Sequence, residues 1–99
     1  MNTQPQTFRI AALYHFTRLP DPASLRQPLA AFCCARDIRG TLLLAREGIN
    51  GTVAGTACAI DELLVHLKAM PEFPGLEAKF SHSAEMPFHR MKVRLKKEI

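Results

Sequence analysis

The chain has 99 residues, of which 47% are hydrophobic and 22% charged, with a formal net charge of +4. That length holds one hydrophobic core and not two, and the composition is that of an ordinary globular domain rather than a disordered, collagenous or coiled-coil chain. No apolar run is long enough for a transmembrane helix.

Residues 1–7 read as a flexible polar start, without the basic-then-apolar order of a signal peptide. Phe8 to Phe16 places Phe8, Ile10, Ala12, Tyr14 and Phe16 on one face at period two, and Arg9, Ala11, Leu13 and His15 on the other. Both faces are partly apolar, so the segment is expected as a central strand. Asp21 then suits an N-cap and Pro22 a first helical residue. Leu25, Leu29, Phe32 and Cys33 form one helical stripe, expected to end near Asp37, with Pro28 predicting a kink or a separate first turn. Ile38 to Ala45 reads as a second, buried strand. Asn50-Gly51 is a strong hairpin signal and predicts the turn there, with Thr52 to Ala54 as a short return strand.

Thr56 suits the cap of a second helix, whose stripe is Ile60, Leu63, Leu64 and Leu67. Met70-Pro71 ends it, and Leu76 to Ser83 alternates as a fourth strand. After Glu85-Met86-Pro87, Phe88 to Lys97 alternates cleanly, with Met91, Val93 and Leu95 opposed to Arg90, Lys92, Arg94 and Lys96. The order β-α-β-β-α-β plus one strand is that of an α+β, ferredoxin-like split β-α-β domain, an antiparallel sheet with two helices on one face, over residues 8–99.

The candidates for chemistry are sparse. His15, His66, His82 and His89 show no metal-ligand spacing, although His82 and His89 could meet across a turn. No metal and no cofactor is expected. Cys33 belongs to the apolar stripe, Cys34 lies one position round it, and Cys58 falls in the first turn of the second helix. Three cysteines, two of them adjacent, make a poor disulfide framework, so reduced thiols and a cytoplasmic setting are expected. Gly48, Gly51 and Gly55 match neither phosphate-loop nor dinucleotide patterns, and a hairpin explains Asn50 and Gly51; Arg46 and Glu47 beside free backbone N–H groups leave an anion contact open.

Charge is distributed unevenly. Residues 86–99 contain five basic groups (Arg90, Lys92, Arg94, Lys96, Lys97) and one acid, whereas residues 1–85 contain eight of each sign. Like charges at period two on one strand face repel one another. Two readings stay open: an edge strand guarded against aggregation, or a stripe whose same-face spacing of roughly 6.6–6.8 Å follows the phosphates of a nucleic-acid strand. The glycine and paired-aromatic signature of RRM strands is absent, so stacking in that manner is not expected.

Two blocks, Gly40 to Gly55 (GTLLLAREGINGTVAG) and Glu85 to Ile99 (EMPFHRMKVRLKKEI), resemble the N-terminal domain of the rhodanese-related tRNA uridine hydroxylases. The resemblance covers nearly the whole chain from about Ala12. It implies an acylphosphatase-like, ferredoxin-fold module followed by a rhodanese domain. It implies a family that installs 5-hydroxyuridine at the wobble position of certain tRNAs in an oxygen-dependent reaction. The cysteine associated with activity belongs to the rhodanese domain, and none of Cys33, Cys34 or Cys58 maps onto it. No catalytic residue is therefore expected in this chain. Its implied partners are tRNA and a C-terminal rhodanese domain of the same protein, with no membrane. The nucleic-acid-binding candidates are Arg90, Lys92, Arg94, Lys96 and Lys97, with Arg46 outlying. An acylphosphatase reading would rest on Arg18 in Thr17-Arg18-Leu19-Pro20, which lacks a glycine-rich cradle. A purely structural docking module is the remaining alternative.

Overall fold

A computed structural model describes residues 7–97; the expectation of a flexible start falls almost wholly outside them. The elements are β1 (Phe8–Phe16), α1 (Ala23–Ala35), β2 (Arg39–Ala45), β3 (Gly48–Gly55), α2 (Ala57–Lys68), β4 (Glu77–Ser83) and β5 (Met91–Leu95). They build one five-stranded sheet in the order β4-β1-β3-β2-β5. The first four strands are mutually antiparallel neighbours and β5 runs parallel to β2. This is the ferredoxin-like split β-α-β arrangement with an added edge strand.

The sheet has one packed face and one open face. On the packed face Ala11 and Leu13 of β1, Leu42 and Leu44 of β2, Ile49 and Val53 of β3 and Val93 of β5 are buried against Leu29 and Cys33 of α1 and Ile60, Leu63 and Leu67 of α2. Each helix contributes the stripe its period requires. Phe73, in the connection after α2, is fully buried as well.

The local signals resolve unevenly. Thr56 caps α2 as expected, its hydroxyl accepting from the Ala59 N–H at 3.1 Å. At α1 the expectation is corrected by one residue. Pro22 is itself the N-cap, in αR conformation without a side-chain cap, and Ala23 is the first helical residue. Asp21 contributes its carbonyl instead, accepting from the Ser24 N–H and hydroxyl. Pro28 does not divide the helix, which runs unbroken to Ala35. Pro28 is the sixth helical residue and exposed, so the bond to the Ser24 carbonyl is given up there without breaking the helix. The helix stops before Asp37, which turns the chain with φ 55.

The hairpin is a clear correction. Ala45 pairs with Gly48, so the turn is Arg46-Glu47, and Asn50 and Gly51 lie inside an eight-residue β3. Gly51 has φ 156, and a Cβ there would meet the Thr41 carbonyl oxygen at 2.1 Å. Its glycine serves a close approach between β2 and β3, not a turn.

The last strand is shorter than its alternation suggests. It spans Met91–Leu95, with Phe88, His89 and Arg90 in the approach to it. Chain 84–90 carries the backbone from the β4 edge to the opposite edge. That is a crossing of about 19 Å at ordinary strand spacing, within the reach of seven extended residues. The crossing also separates His82 from His89, which lie at opposite edges rather than facing across a turn.

Candidate nucleic-acid interface

The register determines what shares the open face, because directly paired residues point to the same side. One row across all five strands reads Lys79, Ala12, Thr52, Thr41, Lys92. The next reads Glu77, Tyr14, Asn50, Leu43, Arg94. A third begins Phe16, Gly48, Ala45 and extends toward Lys96, one residue beyond the Leu44–Leu95 pair. Val93 alternates with Lys92 and Arg94 and is buried, so the basic side chains must stand on the opposite, open side.

The candidates from the basic strand are thus sorted by the fold. Lys92 and Arg94 occupy the open face along the β5 edge and are exposed, and the exposed Lys96 follows directly after the strand. Arg90 precedes the strand; its carbonyl accepts from the Gly40 N–H at 2.9 Å, which anchors the start of β5. At the other end the Lys96 N–H donates to the Leu44 carbonyl at 2.8 Å. Lys97 continues past the strand into a concavity at the sheet end that is also lined by Arg18, Arg46 and the acidic Glu47. Arg46 therefore lies at the foot of the basic track rather than apart from it.

The loop bearing Arg18 is tied to the β2–β3 turn by two backbone bonds, Thr17 N–H to Glu47 carbonyl at 3.0 Å and Leu19 N–H to Arg46 carbonyl at 2.8 Å. Buried Leu19 pins it further. The same loop was the place to look for an acylphosphatase cradle. It brings one arginine and no glycines.

No ion pair among the described residues involves β5; the pairs are Arg9–Asp61, Arg36–Glu62 and Arg39–Asp37. Arg26 of α1 leans over the same edge, its Nε donating to the Val93 carbonyl at 3.1 Å. The groove along the β5 edge beside α1 is lined by Arg26, Arg90, Lys92, Arg94 and Lys96 together with apolar residues such as Ala30, Met91 and Leu95. These cations face water, where they can release counterions to a polyanion.

Two features of this face were missed in the sequence. Tyr14 and Phe16 stand on it, 37% and 73% exposed. Their period-two spacing was visible, but which face of β1 packs against the helices was not. The Tyr14 hydroxyl donates to a Glu77 carboxylate oxygen at 2.7 Å, which raises the phenol pKa.

The cysteines lie elsewhere. Cys33 is buried, and desolvation pushes its thiol up to about 12. Cys34 and Cys58 are exposed, and the Cys58 thiol lies 3.9 Å from a Glu62 carboxylate oxygen. Among the described residues no cluster of three or more His, Cys, Asp or Glu side chains could hold a metal ion. No described helix is long and apolar enough to cross a membrane.

Residues 8–99 match the family described as UPF0176 acylphosphatase like domain. A curated relative from Mesorhizobium japonicum, named tRNA uridine(34) hydroxylase, is 64% identical over 94 residues, covering 95% of this chain and 30% of that protein. Its counterpart from Brucella ovis bears the same name and is 63% identical over 92 residues, covering 93% of this chain and 30% of its own length. The chain thus spans about a third of these relatives. Among solved structures the BLUF domain of BlrP1 superimposes with a TM-score of 0.74 at 18% identity, covering 96% of this chain and 67% of that chain. That likeness is one of fold alone.

Proposed function

The chain belongs to the UPF0176 acylphosphatase-like N-terminal domain family, and from that premise we propose that it is the tRNA-holding part of a longer tRNA-modifying enzyme. The enzyme proposed is an oxygen-dependent wobble-uridine hydroxylase in the cytoplasm, whose catalytic centre lies in a following rhodanese-type domain. The observation that carries the reading is the placement of Lys92 and Arg94 on one exposed face of the β5 edge, with Lys96 directly after it and no ion pair to any of the three among the described residues. Edge protection accounts for charge on β5 itself, whereas Lys97, Arg46 and Arg18, which share their corner with Glu47, extend the basic side chains beyond that strand.

The test is tRNA binding by the 99-residue chain, read by fluorescence anisotropy at several salt concentrations. About four phosphate contacts give a slope of log K against log salt of roughly −3 to −4. Charge reversal at Lys92 and Arg94 should abolish binding. Absence of binding at low salt would overturn the reading and leave the basic strand a structural role.

Docking of the rest of the protein is a second role for a different surface. Val65 on the outer side of α2 is 70% exposed beside Phe32 and His66. Val65→Lys should leave tRNA binding by this chain unchanged.

A further inference from the structure

We infer that the open sheet face takes an unpaired RNA strand, with bases stacked on Tyr14 and Phe16 and phosphates held along β5 by Arg94 and Lys96. The inference rests on the RNA-binding reading above and names the form of RNA that the face accepts. Its basis is the pairing of rows. Tyr14 and Arg94 lie in one row, and Phe16 lies in the row that runs out toward Lys96. Each row therefore offers one aromatic ring on β1 and leads toward one cation, Arg94 on β5 or Lys96 just past its end.

The two rows repeat at the same interval on both sides. Residues two apart on a strand are separated by about 6.6–6.8 Å, so rings and cations advance together. β1 and β5 stand three strand spacings apart, about 14 Å. That gap exceeds the phosphate-to-base distance of one nucleotide, so the long Arg94 and Lys96 side chains must reach inward over the sheet to hold a phosphate whose base stacks on a ring. Gly48 and Ala45 lie beside Phe16 in its row and are themselves buried, and Leu43 stands between Asn50 and Arg94 in the next, so a strand would lie across the floor they form rather than in a trough. Asn50 lies beside Tyr14 and is exposed, offering an amide donor and acceptor to a base edge. The Tyr14 hydroxyl is occupied by Glu77, which holds the phenol ring on the β4 side of this floor.

A duplex does not meet this arrangement, because its base faces are stacked and its deep groove is closed to side chains. An unpaired strand presents free base faces, and stacking on aromatics tolerates any base. The track leads toward the corner of Lys97, Arg46 and Arg18, where three cations against the one carboxylate of Glu47 would receive the next phosphate.

The experiment uses the chain's lack of tryptophan. Phe16→Trp creates a single indole at the proposed stacking position. A short oligouridylate should quench its fluorescence, and a short RNA duplex at equal phosphate concentration should not. Phe16→Ala should weaken oligouridylate binding about tenfold without changing the salt slope, because a stacking contact releases no counterions. Tyr14→Phe should retain affinity and Tyr14→Ala should not. Circular dichroism of each variant separates a binding loss from unfolding. Equal binding of single strand and duplex, with Phe16→Ala indistinguishable from the parent, would overturn the inference while the electrostatic RNA reading stands. If neither RNA binds, both fall, and the exposed rings are then assigned to a protein contact.

Discussion

The Tyr14 hydroxyl and the Glu77 carboxylate meet at 2.7 Å across the β1–β4 pair, where the two residues are direct partners in register. The hydrogen bond favours the neutral phenol, and the carboxylate charge disfavours the phenolate in addition. Tyr14 is the single tyrosine of the sequence, so an ultraviolet titration reports it alone. The phenol should titrate above the ordinary value of 10.0. A folded-state pKa raised above the unfolded one gives stabilisation that is full below about pH 10 and is lost as pH rises through the folded value. Glu77→Gln should return the midpoint toward 10.0 and remove that alkaline sensitivity.

Gly51 and Asn50 separate the observed hairpin from the one their dipeptide advertises. In the structure Gly51 faces the Thr41 carbonyl at a distance no Cβ tolerates, whereas Asn50 is exposed on the open face. Gly51→Ala should destabilise the domain by at least about 2 kcal/mol in chemical denaturation. Asn50→Ala should stay within about 0.5 kcal/mol, as surface changes do. A turn at Asn50-Gly51 would make Asn50→Ala costly, because φ > 0 would be required there.

The two exposed thiols and the buried one should part cleanly in a thiol-labelling time course. Cys34 and Cys58 should react promptly under native conditions, and Cys33 only after unfolding, because burial hides it and holds its thiol protonated up to about 12. Prompt reaction of all three would contradict the packing of α1 on the sheet.

Phe73 and Phe16 are the same residue type with opposite fates. Phe73 is fully buried and Phe16 is 73% exposed. Phe73→Ala should cost about 3–5 kcal/mol, the ordinary range for emptying a core phenylalanine. Phe16→Ala should cost less than about 1 kcal/mol, so its effect on RNA is read without a folding defect.

Charge reversal on β5 should likewise spare the fold. Lys92 and Arg94 are exposed and unpaired by any described acid. Lys92→Glu with Arg94→Glu should leave the thermal midpoint unchanged or slightly raised, since repulsion along the strand is relieved. A large loss of stability would mean that these side chains are structural.

Periodicity alone was enough for the element order, the two helix stripes and the alternation of β5, because burial of one face imposes its period on local sequence. The cap at Thr56 was equally legible, since its partner lies three residues away. The hairpin was misread because a glycine signals permissiveness without saying whether a turn or a close backbone approach uses it. The position of β5 was not legible at all. Nothing in FHRMKVRLKK specifies whether it joins β4 or crosses to β2, and that crossing sends Lys97 toward Arg46 and Arg18. The open face has the same origin. Tyr14, Asn50 and Arg94 belong to three separate strands, and only the hydrogen-bonded register aligns them in one row. Local patterns record which side of an element is apolar; long-range pairing decides which side chains become neighbours.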